Sequence, residues 1–272
     1  MALATSTAGR CSADLYASAA SGWAAGADAV YLPLARALVA TSPQSLAGAR
    51  VLDVGAGTGA GSQALIEVGA RPLALDVALG MLRHRALERP PAMVGDAYQL
   101  PVADAAVDVV LAPFVLNHLD DPVVALAELA RVVGPGGLVL ASSFSSTDRL
   151  AVKDIVDGVV RDQGWVAPLA YRWLKEHALD LLGTAGRMSR VAEAAGLVDI
   201  RVAEVAVPVG VLSPSEQVGF RLGMAHVAEF LAGLDGAGRA DVVAAAEAAV
   251  AAADDGAVLA PVVVMLAARV AD

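Results

Sequence analysis

Residues 51 to 59 read Val51-Leu52-Asp53-Val54-Gly55-Ala56-Gly57-Thr58-Gly59, an apolar run that carries one acid and breaks into three alternate glycines. This is how a strand hands over to a turn whose main chain lies against a ligand. Glycine at alternate positions permits backbone dihedrals closed to other residues and leaves no Cβ in a ligand's way. The helix expected after the turn points its free N–H groups at whatever is bound.

Spacing alone does not choose the ligand, because Gly55-Ala56-Gly57-Thr58-Gly59-Ala60 also fits the looser dinucleotide pattern. Two further acids narrow the choice. Asp76 ends the apolar run Arg71 to Asp76, and Asp96 ends Ala92 to Asp96. In open parallel sheets ligands bind at the carboxyl ends of strands, where these acids fall. Taken singly, Asp76 could cap a helix beginning near Ala78 and Asp96 could open a turn. Acids at three successive strands favour a ligand with groups to donate to them.

The chain resembles the class I methyltransferases that use S-adenosylmethionine, in the small-molecule branch that includes the ubiquinone and menaquinone methyltransferases. The resemblance covers about residues 48 to 145. It rests on Val51 to Gly59, on Leu75-Asp76-Val77 through Met81-Leu82, on Gly95-Asp96-Ala97 with Leu100-Pro101, and on Asp108 to Phe114 followed by Leu129 to Gly137. The last block ends in Val133-Gly134-Pro135-Gly136-Gly137, where the family has a Pro-Gly-Gly turn before its fifth strand.

The resemblance implies that the backbone of Gly55, Gly57 and Gly59 lines the methionyl and ribose part of S-adenosylmethionine and that Asp53 helps orient its ammonium. Asp76 would accept both ribose hydroxyls, with Val77 or Met81 on the adenine face. Asp96 would accept from the adenine amino group while the Ala97 N–H donates to the ring, and Ala112 counts among the cofactor contacts. His118, in Phe114-Val115-Leu116-Asn117-His118, falls where relatives bring the acceptor to the methyl group, which makes it the candidate base. An imidazole with an unperturbed pKa of about 6.5 suits that work. A packing role is the competing reading for His118, the stronger one for His177, and the preferred one for His226.

Strands are expected near 50–54, 72–76, 91–95, 107–113, 137–144, 198–208 and 258–269. The expected fold is α/β: a Rossmann-like, seven-stranded, mostly parallel sheet with helices on both faces, an N-terminal helical cap and an inserted helical lid. One domain is expected, with a cap over 1–48, a cofactor core over 49–145, a lid over 146–190 and core completion over 191–272. Ser213-Pro214-Ser215-Glu216 reads as a helix start, and the alanine-rich 240–253 as a helix.

Tyr16, Trp23 and Tyr31 fall in the cap, Phe114 after the fourth strand, and Trp165, Tyr171 and Trp173 in the lid segment. Such rings supply binding area at low entropic cost. Tyr16, Trp23, Tyr31, Phe114, Trp165 and Trp173 are therefore expected around a small, fairly apolar substrate. Packing alone is the competing reading for each ring.

Hydrophobic residues make up 57% of the 272 and aromatics 4%, so the core is built from Ala, Val and Leu. The formal charge of −10 disfavours a nucleic-acid partner. Cys11 stands alone and the four histidines lack metal-ligand spacing, so no metal is expected. The first ten residues do not read as a signal peptide, and no stretch reaches the roughly 20 apolar residues of a membrane span. A cytoplasmic enzyme of specialised metabolism acting on a small molecule is expected, with a homodimer left open. A cyclisation or rearrangement catalyst with the cofactor bound but not consumed stands as the alternative, and a nicotinamide oxidoreductase is disfavoured by Asp53 and Asp96-Ala97.

Overall fold

The computed structural model describes residues 16, 19–253 and 256–272. Most of the expected cap before residue 19, namely 1–15 and 17–18, lies outside the described residues.

Seven strands form one sheet: β1 (Arg50–Val54), β2 (Arg71–Asp76), β3 (Ala92–Val94), β4 (Val107–Pro113), β5 (Val133–Phe144), β6 (Val198–Ala206) and β7 (Val262–Arg269). Their order is β3-β2-β1-β4-β5-β7-β6. β7 runs antiparallel to both its neighbours, and the other pairs are parallel. The order reverses between β1 and β4, so a crevice opens at their carboxyl ends.

Alternate residues of the central strands feed opposite faces. Val51, Val109, Leu111, Leu138 and Leu140 join a core with the helices Asp28–Ala40, Ala151–Asp162, Pro214–Leu222 and Gly236–Ala253. Leu52, Val54, Val110, Val139 and Ala141 pack on the other side against Pro122–Val132 and Ala185–Ala194. Strands buried on both faces read as continuous apolar runs, as these do.

Several boundaries differ from expectation, β6 ending at Ala206 and not at 208. β3 is only three residues long and ends at Val94; Gly95, next to it, lies so close to Leu75 and Pro101 that a Cβ there would come within 2.7 Å and 2.9 Å of them. β5 begins at Val133, so Gly134-Pro135-Gly136-Gly137 lies inside the strand as an irregularity between the pairings Val107↔Val133 and Val109↔Leu138. A Cβ on Gly137 would stand 2.6 Å from the Asp108 carbonyl, which explains the glycine. β7 starts at Val262, with Leu259 confined to an isolated bridge to Gly210.

The helix Pro214–Leu222 starts at the expected signal: Ser213 Oγ accepts from the Glu216 N–H, and the Glu216 carboxylate accepts from the Ser213 N–H at 2.8 Å. Both orphan donors of the first turn are thereby satisfied.

Candidate functional site

The crevice at the β1–β4 reversal deepens into a cavity of about 500 Å³. Its volume lies within the range of small-molecule sites. One end is the turn after β1. Gly55 and Gly57 take φ of +67° and +53°, a left-handed conformation that favours glycine. A Cβ on Gly55 would also stand 2.2 Å from Val115 Cγ2, so the turn after β4 seats directly on the turn after β1.

Asp76 is buried at the cavity wall between two loops. Its Oδ2 accepts from the Gly57 N–H and its Oδ1 from the Ala78 N–H, both at 2.8 Å. The helix Leu79–Arg83 has no side-chain cap, so Asp76 ties the loops together rather than capping it. Burial pushes its carboxyl above the ordinary range, against the pull of the Ala78 and Gly57 amides. Each oxygen keeps acceptor capacity, since a carboxylate offers about four lone-pair sites.

Asp53 lies behind the turn, off the cavity wall. It is fully buried; Ser62 Oγ donates to Oδ2 at 2.7 Å, while Oδ1 has no hydrogen-bond partner among the described residues. A Cβ at position 61 would fall 2.5 Å from that oxygen, so Gly61 lets the helix Ala60–Glu67 pack over the acid. Burial raises the Asp53 carboxyl to about 7.

Arg89, which no local pattern marked, donates from Nη1 to the Gly57 and Met81 carbonyls at 3.1 Å and 3.2 Å. Burial lowers its pKa, while Asp53 and Asp76 oppose that by favouring its charge.

The turn spends its own amides. Ala56 N–H donates to Leu75 O, Gly57 N–H to Asp76, and Gly59 N–H to Ala56 O. A pyrophosphate needs such donors free, and Asp76 would repel it. An acid beside exposed carbonyls fits a ligand bearing hydroxyls and positive charge.

Beyond the turn the walls are aromatic. Tyr31 sits 4.8 Å from Trp23 and 5.2 Å from Phe114, and Phe114 lies 4.7 Å from Phe144, measured between ring centres. Phe114 has φ of +57°, uncommon for so bulky a residue. The Phe114 N–H donation to Ser142 O, at 3.0 Å, helps hold it there.

His118 closes the floor, with Nε2 3.3 Å from the Tyr16 hydroxyl and the two rings edge to face at 5.5 Å. Burial alone drives the imidazole down to about 4, and burial raises the Tyr16 phenol. The histidine is neutral near pH 7. In its Nδ1–H tautomer, Nε2 accepts from Tyr16.

Of the residues expected at the site, Gly55, Gly57, Asp76, Val77 and Met81 line the cavity, as do Tyr16, Trp23, Tyr31, Phe114 and His118. Gly59, Asp96, Ala97 and Ala112 do not reach its wall. The pairing Asp76↔Val94 puts Asp96 at the same end of the sheet, where Oδ1 accepts from the Tyr98 N–H at 2.9 Å. Ala97 and Ala112 are packed in the core.

The lid tryptophans stand back from the cavity. Trp165 is buried, donates from Nε1 to the His226 carbonyl at 3.0 Å and backs Tyr171 and His226. Trp173 instead stacks on His177 at 5.2 Å. Tyr171 lines the cavity, along with Phe144, Lys153 and Arg221, which sequence reasoning did not select.

Residues 52–141 match the family described as methyltransferase domain. The demethylmenaquinone methyltransferase of Renibacterium salmoninarum is 42% identical over 112 residues, which cover 40% of this chain and 47% of that protein. The chain thus spans about half the length of that relative. The demethylmenaquinone methyltransferase of Mycobacterium sp. (strain KMS) is 37% identical over 161 residues, covering 57% of this chain and 70% of that protein.

The chain belongs to the class I S-adenosylmethionine-dependent methyltransferases of the quinone-methyltransferase type. As for the family, the cofactor is S-adenosylmethionine. Its fold is shared with Haemonchus contortus phosphoethanolamine N-methyltransferase 2 solved with S-adenosyl-L-methionine, at a TM-score of 0.55 and 18% identity over 88% of this chain and 52% of that one.

Proposed function

We propose that the protein transfers the methyl group of S-adenosylmethionine to a small, quinone-like ring held in the aromatic chamber. The supporting observation is the continuity of the cavity, which runs from Asp76 and the glycine turn to the rings of Trp23, Tyr31, Phe114 and Phe144. Demethylmenaquinone is the acceptor named for the relatives, and a ring of that kind suits the flat, apolar walls.

Bound S-adenosylmethionine supplies an electrophilic methyl group on a positively charged sulfur. Asp76 would receive the ribose hydroxyls on the lone pairs left by Gly57 and Ala78. The backbone from Gly55 to Thr58 would flank the methionyl part, with Asp53 buried behind the turn on the side of the ammonium. Val77 and Met81 would cover one face of the adenine, while Asp96, Ala97 and Ala112, which do not reach the cavity wall, would lie behind that contact and not in it.

The chain's contribution to rate is alignment and exclusion of water. Tyr16 and Trp23 cover the acceptor from the cap, and Thr58 Oγ1 donates to Asp28 Oδ1 at 2.6 Å, latching cap to turn. His118 with Tyr16 orients the acceptor and receives a proton only weakly, because a base held near 4 has little driving force.

Among the described residues, no helix is long and apolar enough to cross a membrane. A cytoplasmic place and a role in specialised metabolism complete the proposal.

Incubation with methyl-labelled cofactor and a reduced naphthoquinone tests it. Label in the ring, with one S-adenosylhomocysteine formed per product, is the expected result. An acceptor rearranged while the label stays on the cofactor would overturn methyl transfer in favour of isomerisation.

A further inference from the structure

The chamber is electrically polarised, with the acid Asp76 at the cofactor end and cations at the end closed by the lid. Lys153 is carried on the helix Ala151–Asp162, and its ammonium lies 4.0 Å from the centre of the Phe144 ring. It pairs with Asp148 Oδ2 at 2.6 Å, while Asp148 Oδ1 is spent on the Val262 N–H at 2.9 Å. Asp148 is therefore fixed from two sides. An ammonium has three protons to donate, and Asp148 is the acceptor that Lys153 has among the described residues.

Two other cations face Lys153. Arg221 is engaged through Nε and Nη2 by a bidentate pair with Asp157, both bonds at 2.7 Å, and Nη2 also meets the Tyr171 hydroxyl. Lys175 is exposed beside the Tyr171 ring, 5.8 Å from its centre. Arg149 and Asp154, one of each sign, stand exposed at the rim. With Arg221 matched by Asp157 and Lys153 by Asp148, the charge of Lys175 is left over, and the end is net positive.

We propose that this end is an anion subsite, in which the Lys153 ammonium, held on Asp148 over Phe144, binds an acidic oxygen of the acceptor. The preferred acceptors are then enolates, phenolates or aromatic carboxylates, and not neutral rings or amines. This deepens the methyl-transfer reading and rests on it for what occupies the chamber.

The weak basicity of His118 fits such an acceptor. With the acceptor's proton already lost to water, its electron pair forms the bond to the methyl carbon. The carbon–sulfur pair leaves with sulfur, the opposite charges cancel, and no base is needed in the step. For Lys153 itself, burial lowers the ammonium's pKa, and the pair with Asp148 opposes that without cancelling it.

The test uses the full chain saturated with S-adenosylhomocysteine and three probes titrated by calorimetry: 2-hydroxy-1,4-naphthoquinone as enolate, 1-naphthoate as carboxylate and 2-methoxy-1,4-naphthoquinone as a neutral ring. The wild type is expected to bind an anion about tenfold or more tighter than the neutral ring, as a charge-assisted hydrogen bond implies. Lys153→Met should abolish that preference while leaving the neutral ring's affinity unchanged, and Lys153→Arg should keep it.

Preference for the enolate alone assigns a phenol-type acceptor, and for naphthoate alone a carboxylate. A wild type that binds the neutral ring as well as the anions, or binds none of the three, overturns the subsite. So does a Lys153→Met variant that weakens all probes alike. S-adenosylhomocysteine affinity, measured first, separates this from failure of the cofactor reading: Lys153→Met should leave it unaltered.

Discussion

Asp76 joins two loops and faces the cofactor, so its replacement has two separable effects. Asp76→Ala removes the acceptors for the Gly57 and Ala78 amides and those proposed for the ribose. Cofactor affinity should fall by about tenfold or more, since each lost bond to a charged acceptor costs about 1.5–3 kcal/mol. An unchanged dissociation constant by calorimetry would remove the ribose role.

His118 should act on the chemistry instead. His118→Ala is expected to lower kcat while leaving S-adenosylhomocysteine binding within about twofold, since interactions made in the transition state leave ground-state affinity untouched. Because its imidazole sits near 4, wild-type kcat should show no His118 limb above about pH 5.5; full activity in the variant would reduce His118 to packing.

Asp53 affects stability in the opposite sense to a carboxylate whose pKa is lowered by folding. Its folded pKa, about 7, lies above the ordinary aspartate value of 3.8, so the native state holds the extra proton between these values. Its contribution to stability is present below about pH 4 and is lost as pH rises through 7. Asp53→Asn should therefore melt higher than wild type near pH 8, with the gap closing as pH falls below 7. Thermal melts across that range would show it, and a gap that widens toward acid would refute the assignment.

Elements meet most closely where the cap crosses the helix Pro214–Leu222. A Cβ on Gly26 would fall 1.9 Å from the Gly219 carbonyl oxygen, and one on Gly223 would fall 2.5 Å from that of Gly22. Glycines four apart on both sides, 22 and 26 against 219 and 223, let the two backbones touch. Gly26→Ala must separate them, at about 1–3 kcal/mol for overpacking. It should lower Tm by several degrees and weaken acceptor binding, because Trp23 and Tyr31 ride on the displaced segment. A variant with wild-type Tm and acceptor affinity would show that the crossing yields freely.

That crossing was open to sequence reading, since Gly-x-x-x-Gly occurs in both partners. The strands β1, β2 and β4 were also legible, because each is a short apolar run ended by Gly, Asp or Pro. What local pattern could not reveal was pairing at a distance. Arg221 and Asp157 are 64 residues apart, Lys153 sits on an unremarked helical face, and Arg89 follows a helix that stops at Arg83. Trp165 was misplaced for a related reason: an aromatic residue looks alike in sequence whether its ring faces a cavity or, as here, stands behind the residues that do.

At the scale of the molecule, the cofactor end is where otherwise separate units meet: the cap through Thr58 and Asp28, the turn after β1, and the turn after β2 through Asp76. A ligand seated there contacts them all and binds only the folded state. At about 100 times its dissociation constant, S-adenosylhomocysteine should add about 2.7 kcal/mol to global stability. It should raise Tm by about 5–10 °C for a chain of this size.

The gain should also be local in amide exchange. Protection is expected to rise most in 55–59, 76–83 and the cap from 19 to 40, and least in the β6 edge and the helix Gly236–Ala253. Asp76→Ala, with affinity down about tenfold or more, should cut the Tm shift to about half or less and weaken this pattern in proportion at the same ligand concentration. Protection spread evenly over the chain, or concentrated at β6, would place the cofactor elsewhere and detach the chamber from the chemistry assigned to it.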